Sequence, residues 1–343
     1  MKKLLFAVLA MCALNSETAL AADANTAQAL LTEMHQASQQ SNYQLSYIVI
    51  NRNAIEPLQY SHAVEENQQV AHLVYLSGPM REVIRRGNEV SYIDASSEPF
   101  TIRSNYMVAP TLPLLNSNIE QLSHYYDFIP LGKAREAGAT CQVLRIVPKD
   151  GMRYSYILWV DENSKLPLRA DLIDRNGDIL EQFRTISFAV GKEVMQHLSG
   201  LKEATLPQVL SLPQSNLQQT FWKASWVPNG FKARELNRYK LAGTDQIVES
   251  QLFSDGLFDF SIYVSDRSGK SLKNQLVRQG RRTLQIFVNG EHEVAVIGDI
   301  PPETAQRIAR SVSFSAVKAG AENESNQVEG SNVEVGKRVS SLQ

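Results

Sequence analysis

Six histidines and two cysteines are the residues of this chain best able to hold a metal or serve as base or nucleophile. Their spacing builds no site. His35, His62, His72, His124, His197 and His292 include no i,i+4 pair and no carboxylate–histidine spacing of the kind metal sites use. No serine stands in a G-x-S-x-G elbow. Cys141 opens the alternating run Cys141-Gln142-Val143-Leu144-Arg145-Ile146-Val147, where a small buried hydrophobe is a simpler reading than a reactive thiol. The glycines of Arg86-Gly87-Asn88 and Arg175-Asn176-Gly177 mark turns, not phosphate cradles. The expectation is a protein that is no enzyme and takes no metal or cofactor. Binding chemistry stands out instead. Tyr125-Tyr126-Asp127-Phe128-Ile129 and Tyr154-Ser155-Tyr156-Ile157-Leu158-Trp159 concentrate large apolar side chains, as ordinary core or as the lining of a ligand cavity. Arg278, Arg281 and Arg282 surround a strand start, either a solvated edge or a docking patch for an acidic peptide or phosphate.

Where such chemistry would operate is written at the amino terminus. Lys2 and Lys3 precede the apolar stretch Leu4–Leu14, and Ala19-Leu20-Ala21 offers small residues at a cleavage site. This pattern predicts a cleaved signal peptide over residues 1–21 and export out of the cytoplasm. The stretch is shorter than the roughly 20 residues of a membrane span, and no later segment comes closer, so the protein is expected not to span a membrane. Leu9-Ala10-Met11-Cys12 departs from a lipoprotein box at Met11, where a small residue is required. Without the leader the formal charge moves from −2 to −3, which gives no reason to expect nucleic acid. Cys141 is then the lone cysteine, so no internal disulfide supports the fold.

The elements follow from periodicity. Leu30, Leu31, Met34, Ala37 and Ser38 recur at helical spacing behind a cap at Asn25 or Thr26. From Tyr43 the period becomes two, with strands at Tyr43–Val49, His72–Leu76, Arg81–Arg86, Glu89–Ile93, Arg153–Asp161, Leu168–Asp174 and Ile179–Phe188. Both faces of Arg153–Asp161 are substantially apolar, as in a curled sheet that encloses something. The proline-broken stretch Tyr106–Leu115 fits neither period and reads as a buried linker or a flap over an apolar cavity. A short helix near Lys192–Leu201 precedes a linker over residues 201–219. A second unit, 220–317, has hairpin turns at Ser254-Asp255-Gly256-Leu257 and Asn289-Gly290 and a helix opened by Pro301-Pro302, with Ala305, Ile308, Ala309 and Val312 inward. Residues 318–343 are predicted to be a disordered tail.

Several segments carry a resemblance. Gly78-Pro79-Met80-Arg81-Glu82-Val83, Arg86-Gly87-Asn88-Glu89-Val90-Ser91-Tyr92, Tyr125-Tyr126-Asp127-Phe128, Asp150-Gly151-Met152-Arg153-Tyr154-Ser155-Tyr156 and Ser164-Lys165-Leu166-Pro167-Leu168-Arg169 resemble the periplasmic sigma-E regulator family, RseB/MucB. In the second unit Ser254-Asp255-Gly256-Leu257-Phe258, Gly280-Arg281-Arg282-Thr283 and Gly298-Asp299-Ile300-Pro301-Pro302-Glu303-Thr304-Ala305 do the same. The resemblance covers residues 23–317 and implies a mainly β, α+β chain. Residues 22–200 would form a half-open antiparallel β-barrel similar to LolA/LolB carriers, and the second unit a smaller α+β domain. It implies binding to the periplasmic domain of the anti-sigma factor RseA, shielding it from proteolysis until a lipid or lipopolysaccharide signal arrives. A periplasmic lipid or lipoprotein carrier is the alternative, and self-association as a homo-oligomer stays open. On physical grounds the cavity or gate residues would be Tyr106, Met107, Leu112, Leu114, Leu115, Tyr126, Phe128, Tyr156 and Trp159. The partner-binding residues would be Arg278, Arg281, Arg282 and Phe258.

Overall fold

The computed structural model describes residues 26–65, 68–210, 219–241, 246–267 and 274–314. The expected signal peptide and tail therefore lie outside the described residues, as does part of the expected linker.

Helix α1 (residues 26–40) comes first, and its three- and four-residue apolar spacing buries Leu30, Leu31 and Met34. An antiparallel meander follows: β1 (Tyr43–Asn51), β2 (Ala54–Glu65), β3 (Gln68–Tyr75), β4 (Arg81–Arg86), β5 (Glu89–Asp94) and β6 (Phe100–Arg103). After a one-turn 3-10 helix (Pro113–Asn116) and α2 (Ile119–Ser123), the second half runs β7 (Tyr126–Glu136), β8 (Ala139–Pro148), β9 (Ser155–Asp161), β10 (Pro167–Ile173) and β11 (Ile179–Val190). The eleven strands stand in the order β6-β5-β4-β3-β2-β1-β11-β10-β9-β8-β7, so the meander is sealed at its centre by β1 against β11. Its outer strands, β6 and β7, do not pair, which leaves a half-open barrel.

Register explains how one face becomes a core. Leu45, Tyr60, Leu73, Val83, Tyr92 and Phe100 lie opposite one another across six successive strands. All are buried, because side chains at period two share a face and this face looks into the half-barrel. The turn at Arg86-Gly87-Asn88 joins β4 to β5 with Gly87 at φ +61°, a conformation glycine adopts without a steric cost. The predicted helix before the linker is α3 (Lys192–Glu203), which packs on β2, β3 and β11. The stretch after it does not hang free: the Thr101 backbone and hydroxyl bind Leu210 and Pro207 and fasten the chain along β6.

The second domain consists of β12 (Trp222–Ala224), β13 (Lys232–Lys240), β14 (Ile247–Ser254), β15 (Asp259–Asp266), β16 (Gln275–Gln279), β17 (Arg282–Asn289), β18 (His292–Gly298), α4 (Pro302–Ser311) and β19 (Val312–Phe314). Six strands form an antiparallel sheet ordered β13-β14-β15-β18-β17-β16, while β12 pairs with β19. The helix α4 presents Ala305, Ile308 and Ala309 to the sheet, all fully buried. The fold is thus the expected α+β pair of domains.

Candidate functional site: a plugged half-barrel and an ionic domain seam

The half-barrel is filled from its own chain. Met107, Leu112, Leu114 and Leu115 are all buried, with Leu114 at 0% exposure, so the aperiodic stretch is a plug packed into the concave face. Three polar contacts fix it: Tyr47 donates its hydroxyl to the Pro110 carbonyl (2.9 Å), Gln39 of α1 donates to the Leu115 carbonyl (2.8 Å), and Val108 N–H donates to the Tyr92 hydroxyl (2.9 Å). Tyr106 differs from its neighbours and stands half-exposed at the rim. Between plug, α1 and sheet remains a cavity of about 20 Å³, lined by Tyr43, Tyr60, His62 and Arg85 among others. That is room for about one water. Burial pushes the Tyr60 phenol up to about 12 and lowers the His62 pKa, so both side chains are neutral near pH 7.

The second feature lies where the domains meet. Asp255, in the β14–β15 hairpin turn, first caps that turn: Oδ1 accepts from Leu257 N–H (2.9 Å) and Phe258 N–H (2.8 Å). Its Oδ2 then accepts from two groups of the first domain, Arg153 Nε (2.6 Å) and the Tyr126 hydroxyl (2.5 Å). Arg153 and Asp255 are both fully buried. The guanidinium is completed by both oxygens of Asp150 (2.8 Å each) and by the Asn229 carbonyl. Burial, followed by the Asp255 charge, holds the Tyr126 phenol well above its ordinary pKa and keeps it a donor.

Apolar and further polar contacts extend the seam. The Phe258 ring lies parallel to Tyr156 (centroids 5.8 Å apart, 8°) and edge-on to Tyr154 (6.2 Å, 74°). Tyr154 donates to the Ile300 carbonyl (3.1 Å) and Thr304 donates to the Met152 carbonyl (2.9 Å). Ser117, directly after the plug, donates to the Gly256 carbonyl (2.7 Å) in the turn that carries Asp255. Plug and seam are therefore adjoining parts of one packed region.

The residues expected to line a cavity and those expected to meet a partner converge here. Tyr126 and Tyr156, read as cavity, and Phe258, read as partner contact, are neighbours across the seam. Arg278 pairs with Asp174 (3.2 Å), and Arg281 with Glu181 (3.0 Å) and Asp299 (2.7 Å), so both hold the first domain. Arg282 sits beside Asp299 (3.5 Å) and is more exposed. Phe128 is buried in the core. Trp159, also read as a cavity residue, alternates with the buried Leu158 and Val160, is half-buried against the core, and carries the Arg169 guanidinium over its ring (4.2 Å). An arginine lid lets a half-buried indole avoid facing bare water. Sequence reasoning did not single out Arg153 and Asp255. The signal available was an arginine directly before the aromatic run from Tyr154 and an aspartate in a hairpin turn.

Among the described residues no group of histidine, cysteine, aspartate and glutamate could hold a metal. Cys141 is buried, and burial pushes its thiol up to about 11. The described residues also include no helix long and apolar enough to cross a membrane.

Fold and seam together define a class: a two-domain protein whose plugged half-barrel is locked to a second sheet domain through buried charge. The MucB/RseB N-terminal domain matches residues 26–210, and the MucB/RseB C-terminal domain matches residues 216–313. The sigma-E factor regulatory protein RseB of Escherichia coli K12 is 44% identical over 291 residues, 84% of this chain and 91% of that protein. The RseB of Salmonella typhimurium is 42% identical over 93% of this chain and 100% of its own length. The complex structure of Pseudomonas aeruginosa MucA/MucB contains the same fold, with a TM-score of 0.71 at 22% identity, covering 85% of this chain and all of that one. The chain belongs to the MucB/RseB family.

Proposed function

We propose that this protein is a periplasmic negative regulator of the envelope-stress sigma-E response. It binds the periplasmic domain of the anti-sigma factor RseA and shields it from regulated proteolysis until a lipid or lipopolysaccharide signal releases it. The observation that carries this is family membership across both domains, at 44% identity to a protein named for sigma-E regulation. A related MucB has been captured with the periplasmic part of MucA.

The geometry supplies a reason why lipid and partner would compete. The cavity beside the plug holds only about 20 Å³, so an acyl chain that entered there would have to displace the plug. Each buried methylene contributes about 0.8 kcal/mol toward that displacement. Just after the plug comes Ser117, whose hydroxyl is bonded to the hairpin turn that holds Asp255. Moving the plug thus pulls on the seam and changes how the second domain is presented. A lipid that binds only the unplugged state shifts the protein toward it, and one that binds both states equally shifts nothing.

The carrier reading uses the same half-barrel without the second domain. One experiment separates them: binding of the purified chain to the RseA periplasmic domain, with and without lipopolysaccharide. Tight binding that lipopolysaccharide weakens supports regulation. Absence of binding at any lipid level overturns it in favour of the carrier.

A further inference from the structure

Beyond the seam and the plug, the second domain carries an open groove along α4. It is lined by Trp226, Glu303, Gln306, Arg307, Arg310 and Ser311. Arg307 and Arg310 are exposed, and the Arg307 guanidinium lies over the Trp226 ring at 3.8 Å. Neither arginine is in an ion pair among the described residues. Two exposed cations beside a half-buried indole, with Glu303 as the only acid in the lining, suit an acidic segment that carries small apolar side chains.

The chain itself contains such a segment. Between Lys318 and Lys337 stand Glu322, Glu324, Glu329 and Glu334 with no basic residue among them, interleaved with Val328, Val333 and Val335. It starts close to the groove. Arg310 and Ser311 end α4, and the described chain stops three residues later at Phe314. The eight residues from Phe314 to Glu322 span at most about 29 Å. The C-terminal domain match ends at residue 313, before the segment begins.

We propose that the acidic segment 319–336 is a ligand in cis for the Trp226–Arg307–Arg310 groove, occupying it in competition with any acidic partner. Single exposed ion pairs are weak, and tethering compensates: the effective concentration of a linked segment is about millimolar, so even millimolar intrinsic affinity leaves about half of the tails docked. The function proposed above does not enter this inference, and the interaction must weaken with salt.

The test uses residues 22–343, which retain every described residue, with Ser325→Cys labelled with bimane, a fluorophore that tryptophan quenches on close contact. Cys141 is fully buried and takes no label under native conditions. The expected result is quenched fluorescence that rises about twofold in Trp226→Phe, in Arg307→Glu/Arg310→Glu and on neutralising the four glutamates to glutamine, as release of a half-docked tail requires. The same rise is expected at about 1 M salt, where the Debye length is about 3 Å. Fluorescence indifferent to Trp226→Phe, or to charge reversal at the two arginines, overturns the proposal. Quenching that fades on dilution also overturns it, since the segment then docks on a second copy and not on its own chain. The substituted arginines are exposed and leave the buried face of α4 intact, so misfolding does not mimic release.

Discussion

Asp255→Asn is the sharpest probe of the seam. The wild-type carboxylate takes four donors: two backbone N–H groups of its own turn, Arg153 Nε and the Tyr126 hydroxyl. An amide can still accept from the turn through its oxygen, but its NH2 then faces two donors from the first domain. Breaking a buried ion pair costs about 3–5 kcal/mol, because a charge is left without its counterpart. Here Arg153 keeps both oxygens of Asp150 and the Asn229 carbonyl, which places the expected loss near the lower end, about 3 kcal/mol. The lost contacts cross between domains, so the loss falls on docking and not on either sheet. About 3 kcal/mol corresponds to roughly a hundredfold in the seam-opening equilibrium. Hydrogen exchange read by mass spectrometry over peptides containing Leu257 and Phe258 should accelerate by that factor, while β1 and β11 keep their wild-type rates. Acceleration under about fivefold, or equal acceleration in the β1 peptides, would refute the assignment of Asp255 as the domain lock.

Other perturbations follow from the same contacts. Tyr47→Phe removes the hydroxyl that holds Pro110, loosening the plug by about 1 kcal/mol and raising lipopolysaccharide affinity about fivefold; unchanged affinity in a direct titration would detach the plug from lipid entry. Gly298→Ala would set a Cβ 2.3 Å from Phe260 Cβ and 2.5 Å from the Asp259 carbonyl, on a strand locked to β15. A destabilisation of about 3 kcal/mol in urea unfolding is expected, and one below about 1 kcal/mol would show that the strands can part there. His62 is buried, its pKa held below 6.5 by desolvation, with the Arg85 charge reinforcing this and the Ser41 carbonyl opposing it. The unfolded chain therefore binds the proton at higher pH than the folded one. The contribution of His62 is complete above about pH 6.5 and declines as pH falls below it. The stability gap between wild type and His62→Gln should narrow from about pH 7.5 to 5.5 in urea titrations; a widening gap would contradict the neutral burial.

The hairpins of both domains could be read directly from the sequence, since Arg86-Gly87-Asn88, Asn176-Gly177, Asp255-Gly256 and Asn289-Gly290 encode turn geometry within a few residues. So could α4, with its proline at the first turn and its apolar stripe. Strand β2 escaped notice because Pro57 and the charged Glu56 and Glu65 obscure its alternation. Strand β13 exposes almost every residue, and β16 exposes all of them, so neither carries a two-fold pattern at all. The plug lacks a period because its shape is set by the cavity it fills, not by local hydrogen bonding. Trp159 alternates with Leu158 and Val160 along β9, and apolarity alone does not tell that its ring is covered by Arg169. The seam was hidden for a different reason: Arg153 and Asp255 are 102 residues apart, and nothing local in either segment names its partner.

The short ribbon of β12 and β19 has a mechanical consequence. Trp222 lies opposite Phe314 and Ala224 opposite Val312, so the second domain is entered and left at the same end of one antiparallel pair. Phe221 stacks on Phe314 (6.1 Å) and His292 lies against the same ring (4.1 Å), forming an aromatic clasp over that end. Tension applied through the two ends pulls across the ribbon and not along it. Its bonds then load one after another, as in a zipper, and never share the force as they would in shear. In a force spectrometer the clasp should open first and at low load, freeing the C-terminal strand while the six-stranded sheet and the seam beneath it still hold.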